Sequence, residues 1–294
     1  MKKLLALTLA LVLCLGLAAC GGGTSTDTDT NTDTSSDADT NGDATTNGET
    51  ITLTVGATPN PHAEILAQVK DDLAAEGIDL VVKEYSDYVV PNTAVEEGDL
   101  DANYFQHVNY LNWFNGDYGT HLVSACTVHY EPFGIYAGKV SAIADLKDGD
   151  EIAVPNDGSN ETRALLLLQQ EVVITLNDGI TAASNATIQD IASYNVKVNI
   201  REMEAAQLTL SLPDVAMAVI NGNYALQGGL NAATDALAIE DSQGDAAQEY
   251  ANILAVKEGR ENDAAIQALV EALHSDTVKT YIENTYSGAV VPLF

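Results

Sequence analysis

The chain has 294 residues, and 43 acidic against 12 basic side chains give it a formal charge of -31. A field of that sign and size excludes nucleic acid as a partner and disfavours an electrostatic patch for anionic lipid. No cofactor-binding or catalytic signature occurs: there is no Gly-x-Ser-x-Gly, P-loop, His-Glu-x-x-His or Cys-x-x-Cys.

From the N-terminus, Lys2 and Lys3 precede an apolar run, Leu4 to Leu17, interrupted only by Thr8 and Gly16. The run falls short of the ~20 residues that span a bilayer. It ends in Leu17-Ala18-Ala19-Cys20-Gly21. This is the three-part form of a secretory signal over residues 1–19. The terminal cysteine resembles a lipobox, in which Cys20 is acylated and becomes the new N-terminus. The processed chain then keeps Cys20 and Cys126, so no disulfide is expected, and Cys126 reads as a small buried hydrophobe. Residues 20–50 form a lipidated cysteine followed by an acidic Thr/Ser/Asp linker, too polar to offset ordering entropy and therefore a tether. Within it, Asp37-x-Asp39-x-Asn41-Gly42 matches half of a calcium loop, but Gly48 stands where the bidentate Glu is needed.

From Ile51 onward the chain reads as α/β. Ile51–Ala57 alternates as a strand, Asn60-Pro61 opens a helix with Ile65, Leu66, Val69 and Leu73 on one face, and Ile78–Tyr85 is the next strand. This βαβ unit implies a parallel sheet. A second set follows: a strand at 151–155, a polar turn at 156–160, an apolar helix at 163–170, a strand at 196–200, and a continuous apolar strand at 215–220 that predicts cover on both faces. A helix spans about 263–273. Two sets predict two lobes, 51–136 with 251–294, and 137–250, with Glu131–Tyr136 and Tyr250–Val256 as the crossings.

Four places carry candidate chemistry. Tyr88, Phe105, His107 and Tyr110 suit an apolar ligand that needs orientation. If the segment from Asn103 to Phe114 opens a helix, His107, Tyr110, Leu111 and Phe114 share its face. Arg163, one of three arginines, stands at the start of an apolar helix, where free N–H groups and a planar guanidinium favour a carboxylate. The alternative is a surface cation paired with Glu161 or Asp157. Asn221 and Asn223 follow a strand end, where open α/β sheets bind ligands and an amide can meet a carboxylate or an ammonium, and Glu204 follows another. His62, His107, His121 and His129 show neither His-x-His nor i,i+4 spacing, so no metal is expected.

Several blocks resemble the methionine-binding lipoproteins of the MetQ/NlpA family: Tyr88-Val-Val-Pro-Asn92, Gly98-Asp-Leu-Asp-Ala-Asn-Tyr-Phe-Gln-His107, His129-Tyr-Glu-Pro-Phe-Gly-Ile-Tyr136, Val154-Pro-Asn-Asp157, Arg163-Ala-Leu-Leu-Leu-Leu-Gln169, Glu204-Ala-Ala-Gln207 and Ala218-Val-Ile-Asn-Gly-Asn-Tyr-Ala225. They cover 51–294 in order. The resemblance implies a type II periplasmic-binding-protein fold that captures methionine, stereochemistry left open, and delivers it to an ABC permease and ATPase complex from the outer face of the membrane. It places Tyr88, Phe105, His107 and Tyr110 around the ligand side chain, Arg163 on its carboxylate, and Asn221, Asn160 and His129 nearby. It implies no catalysis. The alternatives are another small amino acid, a methionine-containing dipeptide or, in a different class, an exported hydrolase of peptide-like solutes. Two blocks depart from the family pattern: Ser159-Asn-Glu-Thr162 replaces a more glycine-rich turn, and Leu208-Thr-Leu-Ser-Leu212 stands where a proline and an arginine are common.

Overall fold

The computed structural model describes residues 50–240 and 246–294. The candidate signal 1–19, Cys20, the linker to residue 49 and the Asp37–Gly42 pattern lie outside the described residues. No helix among the described residues is long and apolar enough to cross a membrane.

Thirteen strands run β1 (Ile51–Ala57), β2 (Ile78–Glu84), β3 (Ala102–His107), β4 (Leu122–Tyr130), β5 (Gly134–Ala137), β6 (Glu151–Pro155), β7 (Ile174–Leu176), β8 (Ile191–Tyr194), β9 (Asn199–Met203), β10 (Met217–Ile220), β11 (Ala236–Ile239), β12 (Ala251–Lys257) and β13 (Val291–Pro292). They form two main sheets, ordered β13-β4-β12-β3-β1-β2 and β11-β5-β10-β6-β9, with β7 and β8 as a separate pair. Each main sheet is the centre of one lobe. In the first, β1 runs parallel to both β2 and β3, and β12 lies antiparallel between β3 and β4. In the second, β6 is parallel to β9 and β10, while β5 is antiparallel to β10 and β11.

Apolar periodicity explains the cores. Leu53, Val55 and Ala57 of β1 alternate inward against Ile65, Leu66, Val69 and Leu73, and against Ile266 and Leu269 of the helix Ala264–Leu273. The second core joins Ile152 and Val154 to Leu165 and Leu168. All four residues of β10 are buried, as a strand covered on both faces must be. A third cluster draws on both lobes, setting Tyr88, Phe105, Tyr110 and Phe114 against Tyr136, Ala153, Ala218, Ile220 and Tyr224.

Several elements differ from expectation. The segment from Ala102 to His107 is a strand, and the helix starts only at Val108, running to Tyr118. Every residue of β3 is buried, so its side chains are apolar or paired on both faces and no helical stripe was there to be read. The first helix is also broken: a proline-led turn, Pro59–Ala63, precedes helical pieces at Glu64–Ala67 and Lys70–Ala75. The helix carrying Arg163 begins at Gly158, because the Asp157 carboxylate caps it by accepting from the Asn160 N–H. The strand expected at 196–200 lies at β9, since Val196 and Asn195 donate to the Val173 carbonyl and pairing starts where Asn199 donates to Asp150. Both segments taken as crossings contain strands. The chain leaves the first sheet after Tyr130 and joins the second at Gly134, so residues 134–136 belong with the second lobe, not the first; β12 lies in the middle of the first sheet.

Leu254 of β12 is fully buried in the first core. Leu254→Ala should therefore cost about 2–5 kcal/mol, measured by urea unfolding. A loss below about 1 kcal/mol would mean that β12 does not bear on the core.

Candidate functional site

One cavity is lined by Tyr88, Phe105, His107, Tyr110, Asn160, Arg163 and Asn221, and by Gln106, Glu131, Gly222, Asn223 and Asn252. The fold delivers these from several places. Phe105 and His107 end β3, Asn221 to Asn223 follow β10, Glu131 follows β4, and Asn160 and Arg163 come from the first turns of Gly158–Gln170. The cavity lies beyond strand ends, where open α/β sheets leave room for ligands.

One part is aromatic. The ring centroids of Tyr88, Phe105 and Tyr110 lie 5.5 to 6.1 Å apart in tilted and edge-on pairs. The Tyr110 hydroxyl donates to the Tyr88 carbonyl at 3.2 Å, fixing the two rings relative to each other. Tyr88 donates to Asn223 Oδ1 at 2.5 Å, and Tyr224 to the Ser86 carbonyl at 3.1 Å; both bonds cross between lobes.

The other part is a directed chain of hydrogen bonds. His107 Nδ1 accepts from the Tyr110 N–H, so its Nε2 carries the proton and donates to Asn160 Oδ1. Asn160 Nδ2 is turned to the Asp157 carboxylate, which can only accept. Asn160 Oδ1 also accepts from Asn221 Nδ2 at 2.8 Å. Each amide is thereby oriented, and the chain ends with Asn221 Oδ1 buried and unpaired. Asn223 Nδ2 is likewise buried and unpaired, because its oxygen is held by Tyr88. An unpaired buried acceptor and an unpaired buried donor thus belong to the same cavity lining, each costing about 1–3 kcal/mol unless a ligand or water meets it.

Arg163 is buried and is not a surface cation. Its partner is neither Glu161 nor Asp157 but Glu240: Nε donates to Oε2 at 2.9 Å, and Nη2 donates to Oε1. Nη2 also donates to the Glu131 carbonyl. The guanidinium lies 4.1 Å from the Tyr250 ring centre and 4.8 Å from that of Phe133. Burial works against its charge, but Glu240 prevails and holds it protonated. The fork expected to grip a ligand carboxylate is therefore engaged by the protein, leaving Nη1 as the donor free of a protein partner among the described residues.

His129 does not line the cavity. It sits behind it, with Nδ1 at 2.5 Å from the Tyr104 hydroxyl and Nε2 at 2.8 Å from Glu131 Oε1. Glu204 lines a neighbouring cleft with Asp157 and Tyr224, not this cavity. Asn223, singled out with Asn221, lines the cavity as expected, whereas sequence reasoning missed Glu131 and Asn252 as site residues and Glu240 as the partner of Arg163. Asn252 had a readable signal, an amide inside the apolar run Ala251–Val256. Glu240 had none, since its partner is 77 residues away.

The family model of the NlpA lipoproteins matches residues 53–294. The chain belongs to the NlpA lipoprotein family. The methionine-binding lipoprotein MetQ of Bacillus subtilis is 39% identical over 247 residues, covering 82% of this chain and 88% of that protein. A lipoprotein structure from Ruminococcus gnavus is 54% identical with a TM-score of 0.81, covering 83% of this chain and 99% of its own. A nutrient-binding protein from Burkholderia cenocepacia, solved bound to methionine, is 41% identical with a TM-score of 0.78, covering 82% and 100%.

This NlpA-family lipoprotein holds several titratable groups far from their ordinary ranges. Burial, reinforced at His107 by Arg163, lowers His107 and His129 to about 3; burial lowers His62 to about 4, opposed by Glu131. All three imidazoles are neutral at pH 7. Burial raises Asp157 to about 6 despite the bonds from Asn160. Glu161 is pushed up to about 8, first by burial and then by facing Glu202. The histidines bind more protons unfolded than folded, so their stability is lost as pH falls below about 6.5. The two acids bind more protons folded, so theirs is lost as pH rises from about 4, through 6 for Asp157 and 8 for Glu161. Thermal unfolding should therefore show a maximum near pH 6.5–7 and a decline by pH 8. In Glu161→Gln the decline above that maximum should flatten; an unchanged alkaline limb would show that Glu161 ionises normally.

Proposed function

We propose that this chain is the lipid-anchored substrate-binding component of an ABC importer, capturing methionine between its lobes and passing it to a permease and ATPase complex. The observation that carries the reading is the division of one cavity into an aromatic part, Tyr88, Phe105 and Tyr110, and a polar part with Arg163, the unpaired Asn221 Oδ1 and the unpaired Asn223 Nδ2. An α-amino acid with an unbranched apolar side chain complements both. Thioether–aromatic contacts contribute about 0.3–1.5 kcal/mol each. Arg163 Nη1 and Asn223 Nδ2 are the donors for its carboxylate, with Asn160 and His107 orienting Asn221. The names of the Bacillus subtilis and Burkholderia cenocepacia relatives favour methionine over another small amino acid.

The lobes are read as 51–130 with 251–294, and 134–239, which meet around the cavity. The reading is of a binder, not an enzyme. His107, the cavity imidazole, has both nitrogens committed, so it offers no base to a nucleophile. Anchoring is assigned to Cys20, with the acidic linker as tether. A diacylglyceryl cysteine supplies the two chains that firm attachment needs.

A ligand panel tests the substrate. Methionine should bind with an affinity measurable by calorimetry, methionine sulfoxide more weakly by about 1–3 kcal/mol because its oxygen meets the aromatic part, and glutamate not detectably. Preference for glutamate or a metal ion over methionine would defeat the proposal; a methionine dipeptide binding more tightly would change only the substrate.

Fractionation tests the anchor. Cys20→Ser should move the protein from the membrane fraction to the soluble exported fraction, whereas unchanged partitioning would assign the attachment elsewhere.

A further inference from the structure

Glu131 is buried, lines the cavity, and is the carboxylate there without a cation of its own. Arg163 touches its backbone carbonyl, but its charge is matched by the Glu240 carboxylate. The other neighbours of the Glu131 carboxylate are two imidazoles and the Asn223 backbone N–H, which favours its charged form. Oε1 lies 2.8 Å from His129 Nε2 and 3.3 Å from His62 Nε2. Both rings have their tautomer set from behind. The Tyr104 hydroxyl finds its acceptor in His129 Nδ1, and the Thr58 hydroxyl lies 2.7 Å from His62 Nδ1. Each Nε2 therefore carries a proton toward Glu131, and His62 shares its proton with Asn252 Oδ1 at 3.1 Å. Burial keeps both imidazoles neutral at pH 7 and pushes Glu131 up from the usual carboxylate range, against the pull of His62 and Arg163. Neutral donors orient a carboxylate without cancelling a charge on it, so Glu131 in this wall is a place that a ligand cation would complete.

The place of the carboxylate is set by Gly222. A Cβ there would stand 2.7 Å from both Cβ and Oε2 of Glu131. The glycine of Asn221-Gly222-Asn223 thus lets Glu131 pack against the backbone that also carries the unpaired Asn221 Oδ1.

Taking methionine as the ligand, we infer that Glu131 receives its α-ammonium together with Asn221 Oδ1, and that His62, His129 and Gly222 are positioning residues that aim this carboxylate. Specificity for an amino acid over the corresponding carboxylic acid then resides in Glu131.

The experiment compares methionine with 4-(methylthio)butanoate, which keeps the thioether and carboxylate and lacks the ammonium. Wild type should prefer methionine. A charge-assisted hydrogen bond of about 1.5–3 kcal/mol corresponds to a loss of about 10- to 150-fold. Glu131→Gln should lose that much affinity for methionine and no more than about threefold for the analogue, whose binding also proves that the variant is folded. His129→Leu should lower the methionine-to-analogue ratio in the same direction, and His129→Gln, which restores a donor near the Nε2 position, should recover it. Equal losses for both ligands in Glu131→Gln, or an unchanged methionine affinity, would overturn the inference. So would a stoichiometric divalent ion in the purified protein held by His62, His129 and Glu131, which lie close enough together to ligate one. A wild type that binds no methionine would defeat the proposed function itself, a result distinguishable from either.

Discussion

A guanidinium taken out of water has to bring its anion with it, and the second lobe is organised around that requirement. Arg163 is held by Glu240 through two nitrogens, and Glu240 in turn accepts from the Tyr130 hydroxyl at 2.5 Å and the Phe133 N–H at 3.1 Å. The Tyr250 and Phe133 rings pack near the guanidinium. Residues 130–133, 163, 240 and 250 are thereby tied into one knot, at the two passages where the chain crosses between sheets. Removing one member of a buried ion pair costs about 3–5 kcal/mol, so neither Arg163 nor Glu240 can change alone. The pair also tempers the cavity: it supplies a donor and a positive potential without an unmatched charge.

The polar wall obeys a related rule. Low dielectric makes every unpaired polar group costly, and most of this wall is paired in one direction only. Asp157 can only accept, so Asn160 must present its amide nitrogen there and its oxygen to His107 and Asn221. The network propagates orientation over three residues and leaves its deficit where a ligand arrives. Neutral histidines suit this role, because a protonated His107 would stand against Arg163 and lose its Tyr110 acceptor function.

Local pattern carried much of the architecture. The alternation in Ile51–Ala57, the apolar stripe from Ile65 to Leu73 and the continuous run of β10 each state how many faces are buried, and the folded chain buries those faces. The aromatic stretch before Val108 misled because β3 is central: with both faces buried, strand and helix share the same composition, and only pairing with β1 and β12 decides between them. The motif quoted around Glu131 contained the missed carboxylate, but its role depends on groups brought from Thr58, His62 and Asn252, remote in sequence.

By itself, then, the amino-acid order determined the acidic charge, the lipoprotein-like N-terminus, the two β/α sets, and which residue types belong to the candidate site. These follow from local periodicity and composition, which need no knowledge of neighbours. Only the tertiary structure decided that Arg163 belongs to Glu240, that His129 stands behind the cavity, and that Glu131 stands in its wall without a cation. Those outcomes depend on which charges and donors meet across long stretches of chain, and on how much water is left between them. Spacing along a sequence carries neither quantity.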